Sequence, residues 1–126
     1  MAEHLETGLN GENAVADYLV SQGWRIVARR WRDPAPRGLR TDIDLIASSP
    51  DGRWHFVEVK TRSGAAAGDC SPESAVTPAK VRRMLQAAER YLDLHALNVE
   101  ISIDLAAVLL HPLSTPRIRY YSDIAR

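Results

Sequence analysis

Four residues of this sequence have the types and spacing for chemistry: Glu12, Asp44, Glu58 and Lys60. Glu58 and Lys60 stand two apart in FVEVK (56–60), with apolar residues between and around them. A period of two puts acid and ammonium on one face of a strand and Val57 and Val59 on the other. Asp44 lies in TDIDLIA (41–47), where Ile43, Leu45 and Ala47 alternate with Asp42, Asp44 and Ile46. The turn residues of SSPDG join the two segments into a β-hairpin. Centred near Pro50–Asp51, that hairpin places Asp44 across from a residue between Phe56 and Glu58.

Glu12 reaches the same chemistry from a helix. Residues from about Glu6 to Gln22 carry a helical pattern ended by Gly23, with Leu9, Val15, Ala16, Leu19 and Val20 on one face. Glu12 falls in the middle of that face, where an unpaired carboxylate costs on the order of several kcal/mol. Three clustered carboxylates repel one another unless a cation neutralises them, and oxygen donors select a hard ion, Mg²⁺ or Mn²⁺. Such an ion keeps positions open for water and phosphate oxygens, and Lys60 would stabilise the developing charge. A purely structural ion-pair network is the competing reading of these residues.

The elements that must position them are legible from the pattern. WRIVARRW (24–31) reads as a first strand with Ile26 and Ala28 inward, and Thr77 and Pro78 cap a second helix reaching about His95. Its apolar stripe is Val81, Met84, Leu85, Ala88 and Leu92. VEISIDLAAVLL (99–110) alternates as a strand, and RIRYYS can form a short final one. The order predicts a mixed α/β fold, αβββαβ with an extra strand allowed, as one domain over residues 1–126 with 61–76 as a mobile loop.

The chain has 45% apolar and 25% charged residues, which excludes the disordered and membrane classes. Its formal charge is zero, against a protein that coats nucleic acid, yet 14 of the 16 basic residues are arginine. Arg29, Arg30, Arg32, Arg37 and Arg40, near Trp24 and Trp31, are suited to tracking a phosphate backbone and stacking on a base. A solvated basic loop with one core tryptophan explains them equally well. Lys80 and Arg83, at the start of the second helix, could meet DNA phosphate, with a solvated helix face the favoured reading for Arg83. Cys70 is the only cysteine, so an intrachain disulfide and a cysteine-rich zinc site are excluded. His4, His55, His95 and His111 show no ligand spacing, and strand parity turns His55 away from Glu58. MAEHLETG has neither a basic nor an apolar leader region and no apolar run spans a membrane, so a cytoplasmic protein is expected.

The Asp44, Glu58, Lys60 series resembles the acid, acid and lysine of the PD-(D/E)xK superfamily, whose core is that of restriction endonucleases and archaeal Holliday junction resolvases. GLNGENAVADYL (8–19), TDIDLIA, FVEVKTRSG and Lys80 are more similar still to the YraN-like family of small bacterial predicted endonucleases. That resemblance implies a restriction endonuclease-like fold in which Asp44, Glu58 and the Val59 backbone carbonyl bind metal. Glu12 would support metal or water, and Lys60 the attacking water. It also marks two departures: Thr41–Asp42 stands where the family has Gly-Glu, and Ser102 where it has the arginine of Arg-Phe-Asp, leaving Asp104 as a structural residue. Gln86 and Tyr91 are five apart, so the Gln-x-x-x-Tyr roles of other nucleases are not carried over.

The expected function is a Mg²⁺-dependent endodeoxyribonuclease acting on branched or damaged DNA, with DNA favoured over RNA by resemblance. A homodimer would suit a junction. The alternative is a catalytically inactive nucleic-acid-binding or assembly protein on the same fold.

Overall fold

A computed structural model describes residues 2–34, 42–63, 76–111 and 113–125, with side chains from Gly8 onward. Its elements are helix α1 (Ala2–Ser21), strands β1 (Arg25–Trp31), β2 (Ile43–Ser48) and β3 (Trp54–Ser63), helix α2 (Pro78–Leu94), and strands β4 (Ile101–His111) and β5 (Ser114–Tyr121). The order is αβββαββ, so the extra strand is present. The five strands form one mixed sheet in the order β1-β2-β3-β4-β5. Only β3 and β4 pair in parallel, and α2 supplies the crossover that a parallel pair requires. This arrangement is a restriction endonuclease-like core.

Each face of the sheet carries one helix. Val15, Ala16 and Leu19 of α1 pack on Leu45, Ala47, Val57, Ala106 and Val108. Met84, Ala87, Ala88 and Tyr91 of α2 pack on Ile43, Ile46, Phe56 and Ile103. Strand alternation therefore divides β3 as its sequence predicts, with Val57 toward α1 and Phe56 toward α2.

Four details differ from the sequence reading. Helix α1 begins at Ala2 instead of near Glu6, since residues 2–5 contain no helix breaker. Val20 is 56% exposed, because the helix rolls its Val15, Ala16 and Leu19 edge onto the sheet. Ile43, at the mouth of β2, joins the α2 cluster and not that of Leu45 and Ala47. Residues 61–63 of the expected loop extend β3 by pairing with Val108, Leu109 and Leu110; residues 64–75 lie outside the described residues.

The hairpin between β2 and β3 aligns the acids. Gly52, at φ 90, donates its amide to the Ser49 carbonyl and closes the turn. Leu45 then pairs with Val57, and the same register carried one residue further sets Asp44 across from Glu58.

Candidate functional site

Asp44 accepts a hydrogen bond at 2.8 Å from the Val59 amide on the neighbouring strand. Burial raises the Asp44 pKa to about 7, with the Glu58 charge next in effect and Glu12 adding to it, while the Val59 amide and the Lys80 charge pull the other way. Asp44 is thus a carboxyl held near neutrality's edge by desolvation and by its acidic neighbours.

Glu58 is 6% exposed and is met by two ammonium groups. Lys60 Nζ lies 3.7 Å from Oε1, and Lys80 Nζ, arriving from the first turn of α2, lies 3.3 Å from Oε2. Thr77 caps that turn by accepting from the Lys80 amide at 3.1 Å, with Pro78 beside it, and this fixes where Lys80 enters. The sequence placed Lys80 as a phosphate contact. The structure brings it to Glu58, a contact that crosses from α2 to β3 and leaves no trace in local spacing.

Glu12 is paired, which answers the cost of burying it on the packed face of α1. Arg30 donates from Nε to Glu12 Oε1 at 3.0 Å. Arg30 lies between the pairs Arg29–Leu45 and Trp31–Ile43, across from Asp44, and its backbone takes φ 51. A non-glycine residue in that region costs roughly 1–3 kcal/mol. The strained position turns the guanidinium to Glu12. Helix α1 can approach this closely because Gly11 meets β3: a Cβ there would lie 1.8 Å from Thr61 Oγ1.

Among the described residues, the three arginines read as a phosphate track, Arg29, Arg30 and Arg32, are engaged with acceptors of this chain. Arg29 donates to Asn13 Oδ1 at 2.7 Å, and Arg32 forks onto both oxygens of Asp42 at 3.0 and 3.1 Å. Asp42 stands before β2 begins, turned toward Arg32. Arg37 and Arg40 lie outside the described residues. Trp24 packs against His55 and Tyr120, and Trp31 against Tyr91, on opposite faces of the sheet.

The donor set fits a hard divalent cation. Asp44, half-buried, and Glu58, buried, could supply oxygen ligands, and two bare negative charges there are costly to desolvate. Among the described residues no three His, Cys, Asp or Glu side chains gather closely enough to hold a metal ion, so the expected three-carboxylate cluster does not form: Glu12 turns to Arg30, and Asp44 and Glu58 are left as a pair. Two carboxylates with the remaining positions left to water and phosphate is the manner in which Mg²⁺ is commonly held.

A second polar cluster is buried on the α1 face. Asp104, fully buried, accepts from His55 Nδ1 at 2.7 Å, Ser102 Oγ at 2.5 Å, the Tyr120 hydroxyl, and the Asp123 amide at 3.0 Å. Burial alone would raise its pKa, but these donors together hold it below the ordinary aspartate value. Ser49 Oγ lies 2.9 Å from His55 Nε2, completing a serine, histidine, aspartate series. Ser49 Oγ also lies 2.5 Å from Asp51 Oδ1 and 3.2 Å from the Arg53 carbonyl within the turn, acceptors that compete with the imidazole for its single proton. Asp104 is a structural acid, and His55 is its partner on the face away from Glu58. His55 and Ser102 are register partners on the parallel strands, a long-range pairing that local spacing does not announce.

A family model described as "Uncharacterised protein family UPF0102" matches residues 11–108. The chain belongs to the UPF0102 family. This is the YraN-like family that the motifs resemble. The UPF0102 match encloses Glu12, Asp44, Glu58, Lys60 and Lys80 and ends within β4. A UPF0102 protein of Bacteroides thetaiotaomicron is 37% identical over 109 residues, covering 86% of this chain and 84% of the relative. One from Rhodopseudomonas palustris is 39% identical over 111 residues, covering 88% of this chain and 75% of the relative. No helix among the described residues is long and apolar enough to cross a membrane.

Proposed function

We propose that this UPF0102 protein is a metal-dependent nuclease that hydrolyses DNA phosphodiester bonds, with Asp44 and Glu58 as metal ligands. The observation that carries the reading is the hydrogen bond from the Val59 amide to Asp44, which holds this half-buried acid beside Glu58, whose charge adds to desolvation in raising the Asp44 pKa. Perturbed carboxyls in such pairs are common where charge is handled chemically.

A divalent cation bound there would acidify a water and polarise the scissile phosphate. Asp44 and Glu58 would hold it with the Val59 carbonyl, and Glu12, oriented by Arg30, would support metal or water. Lys60, 38% exposed at its side chain, presents its ammonium at the rim, where it steadies the attacking water and the charge growing on the phosphoryl oxygens. The water oxygen would bond to phosphorus and release a proton to solvent as the bond to the leaving sugar oxygen breaks, and that oxygen would take up a proton from solvent. DNA, and branched DNA in particular, is favoured through the restriction endonuclease-like core and its resemblance to junction resolvases.

The test is incubation with single-stranded, duplex, flap and four-way-junction DNA in Mg²⁺ and then Mn²⁺, beside Asp44→Asn. Cleavage by the natural protein and none by the variant is expected. No cleavage of any substrate, or equal cleavage by Asp44→Asn, would leave a DNA-binding or assembly protein as the reading.

A further inference from the structure

We infer that Lys80 is the resident counter-cation of the Asp44–Glu58 pair, so that its ammonium and a divalent ion compete for the same carboxylates. This rests on those two acids being the metal site.

The chain contains 2 lysines against 14 arginines, and both lysines reach Glu58. They take separate oxygens, and Lys80 is the nearer, at 3.3 Å against 3.7 Å. Lys80 is also the more enclosed, with its side chain 28% exposed against 38% for Lys60. Its charge extends to Asp44, where it counteracts the effect of burial. A lysine ammonium is a compact point charge with no fixed fork, so of the basic side chains it is the closest substitute for a small cation between two acids. Lys60 reaches Glu58 from two residues along the same strand, on the opposite oxygen, and its charge is not among those that act on Asp44.

Competition has a sign that a supporting role lacks. If Lys80 merely helped hold a metal-bound water or met phosphate, removing its charge would leave metal affinity unchanged or weaken it. As a counter-cation its removal must tighten divalent binding, because the repulsion between two cations at one site is relieved.

The experiment is a calorimetric Mn²⁺ titration without DNA on the natural chain, Lys80→Gln, Lys80→Met and Lys60→Gln, with melting temperatures in chelator and in saturating Mn²⁺. Both Lys80 variants should bind Mn²⁺ about tenfold more tightly, a change of about 1.4 kcal/mol. They should melt lower than the natural chain in chelator and recover that deficit in Mn²⁺, while Lys60→Gln, which removes a longer and more exposed pair, should gain clearly less affinity than either Lys80 variant. Equal or weaker Mn²⁺ binding by the Lys80 variants, an equal gain in Lys60→Gln, or no Mn²⁺ binding by any of the four would overturn the inference. Tighter binding without DNA cleavage would remove the nuclease reading alone. Cleavage with unaltered Mn²⁺ affinity would remove the Lys80 inference alone.

Discussion

The Asp44 carboxylate on β2 accepts the amide hydrogen of Val59, the residue that separates Glu58 from Lys60 on β3. One hydrogen bond thereby ties the first acid to the backbone between the second acid and the lysine. The two strands cannot slip without breaking it, and a slip of one residue would also turn Glu58 to the other face. Relative placement of the charged groups is therefore set by main-chain pairing, with little left to side-chain rotamers.

Metal-free stability should fall as pH rises through the range that Asp44 titrates. Its pKa is raised from 3.8 to about 7, burial being the largest cause. The folded protein keeps a proton that the unfolded chain releases, so this contribution is full below 3.8 and lost by about 7. Urea midpoints in chelator should decline across that window in the natural chain and stay flatter in Asp44→Asn. An identical slope in the variant would assign the effect to another group.

Gly11→Ala should destabilise the protein by about 1–3 kcal/mol, the usual cost of overpacking. The added methyl meets Thr61 Oγ1 at 1.8 Å and the Thr61 Cβ at 2.9 Å, so α1 must lift from β3. Thr61→Ser retains the oxygen that the methyl meets, whereas Thr61→Ala removes it together with the Cγ2 methyl. Combining Gly11→Ala with Thr61→Ala should recover more stability than combining it with Thr61→Ser, as read by denaturant midpoints.

At Arg30, glycine should be tolerated better than alanine. Both substitutions remove the ion pair with Glu12, but only alanine keeps a Cβ at φ 51. Arg30→Gly should be the more stable of the two by about 1 kcal/mol. Equal stability would show that the left-handed backbone carries no strain.

Loss of Asp104 should damage the fold without touching the carboxylate pair. Asp104→Ala leaves His55, Ser102, Tyr120 and the Asp123 amide without their shared acceptor. The expected cost is about 3–5 kcal/mol, that of breaking a buried charged network by removing one partner. Folded Asp104→Ala, measured below its own midpoint, should keep Mn²⁺ affinity within about twofold of the natural chain, since the network lies on the other face of the sheet.

Much of the site can be read from alternation alone. FVEVK assigns Val57 and Glu58 to opposite faces because a strand has a period of two, and Thr77–Pro78 marks the helix start because capping chemistry is local. Contacts decided by tertiary packing are not readable in this way. Lys80 meets Glu58 only once α2 crosses the sheet, and His55 meets Asp104 only through the parallel pairing of β3 with β4. Arg30 could be placed among free basic residues because nothing in ARRW signals a left-handed residue that turns one arginine to a helix. The exposed arginines show the same limit from the other side: a run of like charges does not reveal that Glu12, Asn13 and Asp42 fold back onto it.

Asp44 and Glu58 together should bind one divalent cation. Crystals of the natural chain grown in Mn²⁺, with anomalous difference maps recorded near the manganese edge, test it most directly. One anomalous peak is expected between the Asp44 and Glu58 carboxylates, absent in crystals of Asp44→Asn. A map with no peak between them, or one that survives the substitution unchanged, would contradict it.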